Sequence, residues 1–341
     1  AGVMITASHN PADYNGLKIV GAGAKPVSMD SGLGEIKSIA ESVSYDDSID
    51  LKLKEINIRD QYLDKILSFV NTESIKPLHV VTNAGNGCAG PVINALESRL
   101  PVTFTKIQNE PDGLFPNGIP NPLLVENRQV TSKAVIEHEA DLGIAWDGDF
   151  DRCFFFDANG QFIENYYLIG LLSEQLLQAN PKDHIVHDPR LVWNTREEVM
   201  RANGIPDQSK AGHSFIKEIM RANKAVYGGE MSGHHYFRDF YYSDSGMIPW
   251  LLFGLCAPFT YSLANILIER LRPTTGNSLS LTTGMVWFGA LVMFPVTLLT
   301  DSFHVPSFPL NSPDIAVFGH AIISGLAFFA LFEMIRISGP T

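Results

Sequence analysis

A serine near the start of the chain stands in a setting that suits an exposed, chemically active hydroxyl. Residues 6–11 read Thr-Ala-Ser-His-Asn-Pro, which places Ser8 directly before a histidine. Proline, and side chains that bond to their own backbone, disfavour the interior of a helix or strand, so this stretch predicts a tight loop. A turn at residues 14–16 and a short strand at residues 17–20 follow it. The alternative is an ordinary surface turn between two strands.

Three aspartates alternate along the chain and predict a metal site. Asp147, Asp149 and Asp151 follow the apolar run 142–146, so they leave the end of a buried strand on one side of the backbone. Carboxylates in that number suit Mg²⁺, which keeps positions open for water and phosphate oxygens. A calcium EF-hand would need a glycine and a glutamate where this chain has Arg152 and Ala158. A solvated acidic turn is the remaining alternative.

A third polar motif at residues 228–235 reads Gly-Gly-Glu-Met-Ser-Gly-His-His. Glu230 and Ser232 offer a carboxylate and a hydroxyl that could hold adjacent hydroxyl groups of a sugar, with His234 beside them. Taken alone, metal binding or a histidine satisfied within the core would explain the motif equally well.

Together the three motifs resemble those of the α-D-phosphohexomutases, the family of phosphomannomutases and phosphoglucomutases. The first is similar to the family's active-serine loop, whose serine carries a phosphoryl group in the resting enzyme. The aspartate run is similar to its metal-binding loop, including Arg152, and the third motif to its sugar-binding loop. Lys210 matches a family lysine that faces the reacting sugar, although Ala211 stands where threonine is often found. The resemblance covers residues 1–251.

This resemblance implies a set of site residues, each carried over by its own motif. Ser8 is expected to give and accept the phosphoryl group, with Arg152 contacting phosphate. Lys18, Lys210 and His234 are each candidates for moving the hydroxyl proton, and the sequence does not choose among them. The expected sets are catalytic Ser8, His9, Lys18, Lys210 and His234; substrate-binding Arg152, Lys210, Glu230, Ser232 and His234; and the Mg²⁺ ligands Ser8, Asp147, Asp149 and Asp151.

The implied reaction is the reversible conversion of mannose 6-phosphate into mannose 1-phosphate, with the glucose phosphates as the alternative substrates. Phosphorylated Ser8 would phosphorylate the bound sugar phosphate, forming a hexose 1,6-bisphosphate, and would then take back the other phosphate. Hexose phosphates and hexose 1,6-bisphosphate are therefore the expected partners, and Mg²⁺ is the expected cofactor. A formal net charge of −12 with no basic cluster does not fit nucleic-acid binding.

The elements that must position these motifs follow an α/β pattern. Strand and helix patterns alternate from residue 77 and predict parallel βαβ units. The strands are predicted at residues 78–82, 102–106, 142–146 and 184–188, and the helices at residues 34–43, 91–100, 126–139, 166–179 and 195–202. Residues 85–90 spell G-x-G-x-x-G, the dinucleotide fingerprint, but a tight strand-to-helix turn needs glycines for backbone reasons alone.

The resemblance implies tandem three-layer α/β/α domains over residues 1–59, 60–157 and 158–251. Relative to the family, we expect the first domain to be truncated and the fourth, which clamps the distal phosphate, to be absent. Because positioning supplies much of the catalysis in phosphoryl transfer, we expect the turnover of this chain to be impaired.

Residues 252–341 differ in composition and predict an all-α transmembrane tail. They contain only seven charged side chains, and uncharged stretches at residues 250–268, 281–300 and 315–332 approach the ~20 residues that a membrane helix needs. Residues 271–341 resemble part of an EamA-type exporter of the drug/metabolite transporter superfamily.

The competing hypotheses are a mutase with impaired activity, a transporter fragment carrying a sugar-phosphate-binding module, and an inactive fusion. The expected location is the cytoplasm for the mutase part and the membrane for the tail.

Overall fold

A computed structural model of the chain describes residues 1–44, 53–75 and 77–256. Within these residues a two-stranded hairpin is followed by two five-stranded sheets. The strands are β1 (Gly2–Ile5), β2 (Leu17–Val20), β3 (Leu78–Asn83), β4 (Val102–Ile107), β5 (Leu142–Trp146), β6 (Cys153–Phe156), β7 (Phe162–Ile163), β8 (His184–His187), β9 (Ile205–Gln208), β10 (Tyr227–Gly229), β11 (His235–Phe237) and β12 (Ser243–Asp244). The α-helices are α1 (Leu33–Ser42), α2 (Arg59–Leu67), α3 (Gly90–Leu96), α4 (Val125–Glu137), α5 (Asn165–Ala179), α6 (Val192–Arg201), α7 (His213–Asn223) and α8 (Ile248–Cys256).

The hairpin carries the serine loop between its two strands. β1 pairs antiparallel with β2, so that Val3 lies opposite Ile19 and Met4 opposite Lys18. The connection closes where the backbone N–H of Thr6 donates to the carbonyl oxygen of Gly16 at 3.0 Å. The loop of residues 6–15 is therefore held at one end of the hairpin; the predicted loop and the predicted strand at residues 17–20 are confirmed, and β1 was not predicted.

The first five-stranded sheet has the order β4-β3-β5-β6-β7. β3 pairs parallel with β4 and β5, whereas β6 and β7 are antiparallel to their neighbours. The predicted parallel units are confirmed for β3, β4 and β5, whereas the antiparallel strands β6 and β7 were not predicted. β6 is antiparallel to β5 because the two strands are joined only by residues 147–152, and a parallel crossover needs a much longer connection.

Both faces of this sheet are covered by helices. Val80 and Ile144 share a core with Ile93 of α3, whereas the next residues along their strands, Val81 and Ala145, pack in a separate core with α4. Side chains alternate between the two faces of a strand, so these two cores lie on opposite faces. The result is a three-layer α/β/α arrangement in which β5 is buried along its whole length.

The second five-stranded sheet has the order β12-β11-β10-β8-β9 and repeats this design. β8, β9 and β10 are parallel, and β11 and β12 are antiparallel. Ile185 belongs to the core shared with α5 and α6, whereas Val186 packs with Ile216 and Met220 of α7. Two tandem α/β/α units are therefore present within the described residues, and the loops after β8, β9 and β10 meet at one edge.

Most predicted elements are confirmed, with differences at their ends. The helices predicted over residues 34–43, 126–139 and 166–179 correspond to α1, α4 and α5. The helix predicted over residues 91–100 is shorter, since α3 ends at Leu96 and a 3-10 turn follows at Glu97–Arg99. The helix predicted over residues 195–202 begins earlier, at Val192.

None of the helices described here has both the length and the apolar character that crossing a membrane requires. The predicted span 250–268 overlaps α8, and its remaining residues, 257–268, lie outside the described part of the chain. The predicted spans 281–300 and 315–332 lie wholly outside it.

Candidate active site

Ser8 lies at the bend of the loop that follows β1, with its backbone in the left-handed region at a φ of 53°. Residues with a side chain adopt this conformation at a cost in free energy, so the surrounding contacts must hold it. The Ser8 N–H donates to Thr6 Oγ1 at 2.9 Å. The Ser8 hydroxyl donates to Asp147 Oδ2 at 3.1 Å and lies 3.0 Å from His9 Nδ1. The hydroxyl is thus directed at the aspartate loop.

The three aspartates converge at the end of β5. Asp147 and Asp149 are buried, Asp151 is partly buried, and one oxygen of each carboxylate lies within 4.8 Å of the others. Burial, together with the negative charge of Asp151, raises the pKa of Asp147, while the Arg152 guanidinium opposes this rise. Burial acts in the same direction on Asp149, but the ammonium of Lys18 outweighs it and holds the pKa of Asp149 below its usual range. Three carboxylates this close repel one another.

Two cations from different elements offset part of this negative charge. Arg152 is buried, and its Nε donates to Asp147 Oδ2 at 2.8 Å. Lys18 of β2 places Nζ 3.0 Å from Asp149 Oδ2 and 2.7 Å from Asp151 Oδ2. Burial alone would lower the pKa of Lys18, but the charges of Asp151 and Asp149 outweigh it and raise the pKa. Ion pairs therefore tie the hairpin to the aspartate loop.

The aspartates fit a magnesium ion on two observations. Asp149 Oδ1 and Asp151 Oδ1 are both buried without a hydrogen-bond partner, although buried carboxylate oxygens are normally satisfied. The donor set also consists only of carboxylate oxygens, with the Ser8 hydroxyl next to Asp147, and such hard oxygens are the ligands that Mg²⁺ prefers. Asp147, Asp149, Asp151 and Ser8 are therefore the residues that would hold this ion.

The glycine-rich turn at residues 85–90 packs beneath the aspartate loop. The N–H of Cys88 donates to the carbonyl oxygen of Gly148 at 2.9 Å, and a Cβ on Gly87 would lie 2.6 Å from that oxygen. A Cβ on Gly148 would in turn lie 2.3 Å from the carbonyl oxygen of Ser8. Glycine lets these three backbone segments approach closely, so the G-x-G-x-x-G pattern serves backbone packing, in agreement with the structural interpretation of the sequence.

The sugar-loop motif, residues 230–234, connects β10 to β11 and is internally hydrogen-bonded. Glu230 is buried and accepts from the Tyr236 hydroxyl at 2.5 Å and from the Ser232 hydroxyl at 3.1 Å. The buried carboxylate of Asp188, at the end of β8, accepts from the N–H of Met231 at 3.0 Å. Glu230 and Ser232 therefore lie side by side in this loop.

His234 joins the sugar loop to the aspartate loop. Its backbone forms a β-bridge with Arg152, and its Nδ1 lies 3.1 Å from Asp244 Oδ2 and 3.7 Å from Asp151 Oδ1. Burial would lower the pKa of His234, but its hydrogen bond to Asp244 and the charge of Asp151 outweigh it and raise the pKa. Asp244 is held on its other oxygen by Lys217 Nζ at 2.7 Å.

Lys210 is the predicted site residue that is not drawn into this network. It is exposed, and its ammonium lies 5.6 Å from the centre of the Phe215 ring. Among the described residues it makes no hydrogen bond or ion pair with the other predicted site residues. Its position after β9 still puts it at the sheet edge from which the sugar loop emerges.

Four residues that position the site are not among those predicted from the sequence. Thr6 contacts both Ser8 and Asp149, Asp188 holds the sugar loop, and Asp244 with Lys217 holds His234. Thr6 belongs to the serine motif itself, so its hydroxyl could have been noticed. The other three are polar residues outside the motifs, and only the fold brings them together.

A cavity of about 260 Å³ opens beside the serine loop. Ser8, Cys88, Phe115 and Asp149 are among the residues that line it, and none of its lining residues comes from the sugar loop. This cavity therefore does not extend from Ser8 to Glu230 and Ser232.

Comparison with known proteins agrees with these motifs. Family models of phosphoglucomutase/phosphomannomutase match in order: α/β/α domain I over residues 1–46, domain II over residues 60–160 and domain III over residues 164–270. The domain III match continues past residue 251, where the sequence analysis placed a boundary. The transporter resemblance of residues 271–341 receives no support from these comparisons.

Several relatives resemble about three quarters of the chain or more. The phosphomannomutase of Salmonella montevideo is 57% identical over 259 residues, which are 74% of this chain and 57% of that protein. The phosphohexose mutases of Xanthomonas campestris pv. campestris strain B100 are 54% identical over 273 residues, 80% of this chain and 61% of the relative. This chain therefore spans somewhat more than half the length of these relatives.

A solved structure agrees with the fold. The X-ray structure of a phosphoglucomutase/phosphomannomutase family protein from Burkholderia thailandensis is 32% identical, with a TM-score of 0.65, and the match covers 73% of this chain and 54% of that one. The three matched domain models, the identities to these relatives and the tandem α/β/α fold show that this chain belongs to the phosphoglucomutase/phosphomannomutase family, the α-D-phosphohexomutases.

Proposed function

We propose that this site transfers a phosphoryl group between Ser8 and a hexose phosphate, interconverting mannose 6-phosphate and mannose 1-phosphate. The observation that supports this most directly is the hydrogen bond from the Ser8 hydroxyl to Asp147, 3.1 Å long, beside two further converging aspartates. Phosphoryl transfer depends mainly on positioning and on neutralising charge. A serine held against an oxygen-rich cation site supplies both.

In the first half-reaction, phosphorus of phosphorylated Ser8 bonds to a free hydroxyl oxygen of the sugar phosphate while its bond to Ser8 Oγ breaks. The product is a hexose 1,6-bisphosphate, and the second half-reaction returns its other phosphoryl group to Ser8. Mg²⁺ bound at the aspartates would offset negative charge on the serine oxygen as it leaves. Arg152 has a buried Nη2 without a hydrogen-bond partner, which is available to a phosphate oxygen.

We assign the movement of the sugar hydroxyl proton to His234. Its Nδ1 is engaged by Asp244, and its Nε2 makes no hydrogen bond within the described residues, so one ring nitrogen is oriented and the other is available. Lys18 is less suited, because its ammonium already makes two ion pairs with Asp149 and Asp151. Lys210 is exposed and separate from this network, which fits contact with the sugar phosphate better than proton transfer.

Sugar recognition is assigned to Glu230 and Ser232. The Glu230 carboxylate is fixed by the Tyr236 hydroxyl, and its neighbour Ser232 lies 3.1 Å away. Because these groups are held in place before a sugar arrives, their hydrogen bonds to two adjacent ring hydroxyls would cost little ordering entropy.

Mannose is the proposed sugar because the phosphomannomutase of Salmonella montevideo is 57% identical to this chain. Glucose remains the alternative substrate, since the related Xanthomonas proteins carry the broader name phosphohexose mutases. The full chain should be assayed with mannose 1-phosphate and glucose 1-phosphate in parallel. A larger kcat/KM for the mannose substrate is expected, and a larger value for glucose would reverse the assignment.

Turnover is tested with a coupled assay of mannose 1-phosphate conversion on the purified 341-residue chain, primed with a hexose 1,6-bisphosphate. We expect a turnover that is impaired relative to a full-length phosphomannomutase, that Ser8→Ala abolishes and that Ser232→Ala weakens mainly through KM. A chain that is folded by circular dichroism yet shows no turnover above that of Ser8→Ala would contradict the proposal and favour an inactive fusion.

Membrane attachment of the C-terminal stretch is a separate proposal, supported by the uncharged runs at residues 281–300 and 315–332. Alkaline extraction of membranes from expressing cells tests it. The full chain should remain with the membrane, and a chain ending at residue 256 should be released. Release of both proteins would contradict it.

A further inference from the structure

We propose that Thr6 is a positioning residue that couples the Ser8 backbone to the metal-binding aspartates. Its consequence for catalysis rests on the proposed function. Thr6 directly follows the first strand of the hairpin, while Asp149 lies 143 positions further along the chain. The Thr6 side-chain oxygen nonetheless contacts both the Ser8 N–H and the Asp149 carboxylate, which makes Thr6 a direct link between the serine loop and the aspartate loop.

The first contact concerns the unusual backbone of Ser8. The Thr6 hydroxyl oxygen accepts the Ser8 N–H at 2.9 Å, and Ser8 has a φ of 53°. A side-chain acceptor two residues earlier satisfies an N–H that no strand partner reaches, and it stabilises a bend that is otherwise costly. Thr6 is itself held in place, because its backbone N–H donates to Gly16 at the base of the loop.

The second contact concerns the choice between the two oxygens of Asp149. The Thr6 hydroxyl donates to Asp149 Oδ2 at 2.8 Å, and Lys18 Nζ lies 3.0 Å from the same oxygen. Asp149 Oδ1 is buried and has no hydrogen-bond partner. Two donors from the hairpin therefore occupy one carboxylate oxygen and leave the other for a cation. Partners of this kind orient metal ligands and hold their geometry.

The two contacts use one hydroxyl as acceptor and as donor at the same time. A hydroxyl can do this because it carries one proton and two lone pairs. Any shift of Asp149 is therefore transmitted to the N–H of Ser8, and any shift of the serine loop to Asp149. Valine has nearly the same shape as threonine but can make neither hydrogen bond, whereas serine can make both.

The test compares the full chain carrying Thr6→Val with that carrying Thr6→Ser and with the wild type, using Mn²⁺ as the probe. Mn²⁺ affinity is measured by electron paramagnetic resonance on unphosphorylated protein, with circular dichroism as the check on folding. We expect Thr6→Val to weaken Mn²⁺ binding by about 10- to 100-fold, as is typical when an outer partner of a metal ligand is lost. Thr6→Ser should bind Mn²⁺ nearly as tightly as the wild type.

Equal Mn²⁺ affinity in Thr6→Val and wild type would overturn the proposal, as would equal losses in Thr6→Val and Thr6→Ser. Residue-resolved hydrogen exchange on the wild type provides a second measurement that needs no variant to fold. It should show a protected Ser8 amide, and an amide that exchanges at the rate of an open loop would overturn the proposal. Failure of Ser8 to become phosphorylated in a wild type that binds Mn²⁺ would overturn the proposed function only.

Discussion

The serine loop and the aspartate loop pack closely through their backbones as well as through their side chains, at Ser8 and Gly148. The absence of a Cβ at Gly148 lets the carbonyl of Ser8 rest against the aspartate loop, since a Cβ would lie 2.3 Å from that oxygen. The backbone of Ser8 cannot relax far without losing its hydrogen bonds to Thr6 and Asp147. The observed position of the Ser8 carbonyl oxygen therefore requires glycine at position 148.

Gly148→Ala should displace the serine loop and slow phosphorylation of Ser8 by about 100-fold, because small misplacements of reacting groups have effects of that size. Gly113→Ala is the matched control, since a Cβ there would meet no atom within 4 Å. The measurement is the rate at which a hexose 1,6-bisphosphate phosphorylates each variant. Equal rates for the two variants would refute the importance of this contact.

Residue types and spacing anticipate the groups that carry the chemistry better than those that position them. Alternation places three aspartates on one side of the chain directly after a buried strand, so their convergence follows from local geometry. The contacts of Asp188 with the sugar loop and of Asp244 with His234 depend on which strands are neighbours. No local pattern encodes that adjacency.

At the scale of elements, β11 buries a histidine that should make stability depend on pH. His235 is fully buried beside Tyr227, whose hydroxyl lies 2.6 Å from its Nδ1. Burial, together with the charge of His234, lowers the pKa of His235 from 6.5 to about 3. Between these values the unfolded chain binds a proton that the folded chain does not, so the free energy of unfolding should fall as the pH falls below 6.5.

The variant His235→Gln should remove this contribution. It amounts to at most about 1.4 kcal/mol per pH unit between the two pKa values, and it is absent above pH 6.5. Urea unfolding of wild type and variant at several values between pH 5 and pH 8 measures it. The difference between the two proteins should shrink as the pH falls, and a constant difference would contradict the assignment.

The same element shows why some strands escape prediction from sequence. β7, β11 and β12 contain two or three residues each, too few for an alternating pattern to stand out. Each of them pairs antiparallel with the strand that precedes it in the chain, through a short connection such as residues 230–234. Longer helices such as α5 have many apolar residues on their buried side. They were predicted because the helical spacing of these apolar residues persists over several turns.

At the scale of the whole described molecule, one arginine ties the serine hairpin to the second sheet unit. Arg221 of α7 donates to the carbonyl oxygens of Gly23, Ala24 and Tyr241, each at 3.1 Å, and stacks on the Tyr242 ring. Arg221→Gln should release residues 22–24 and raise their hydrogen exchange without changing exchange in β8. Arg196→Gln, an exposed position on α6, is the control. Unchanged exchange in residues 22–24 would show that this segment is held by other contacts.

The central claim is that Ser8 carries the phosphoryl group and that the aspartates hold the cation that this requires. It is tested by incubating the full chain with glucose 1,6-bisphosphate, with Mg²⁺ or with a chelator, and mapping phosphate by mass spectrometry. We predict one phosphorylated residue, Ser8, in the presence of Mg²⁺, and none in the chelated sample, in Ser8→Ala or in Asp149→Asn. Phosphate on another residue, or phosphate that persists in Ser8→Ala or without a divalent cation, would contradict the claim.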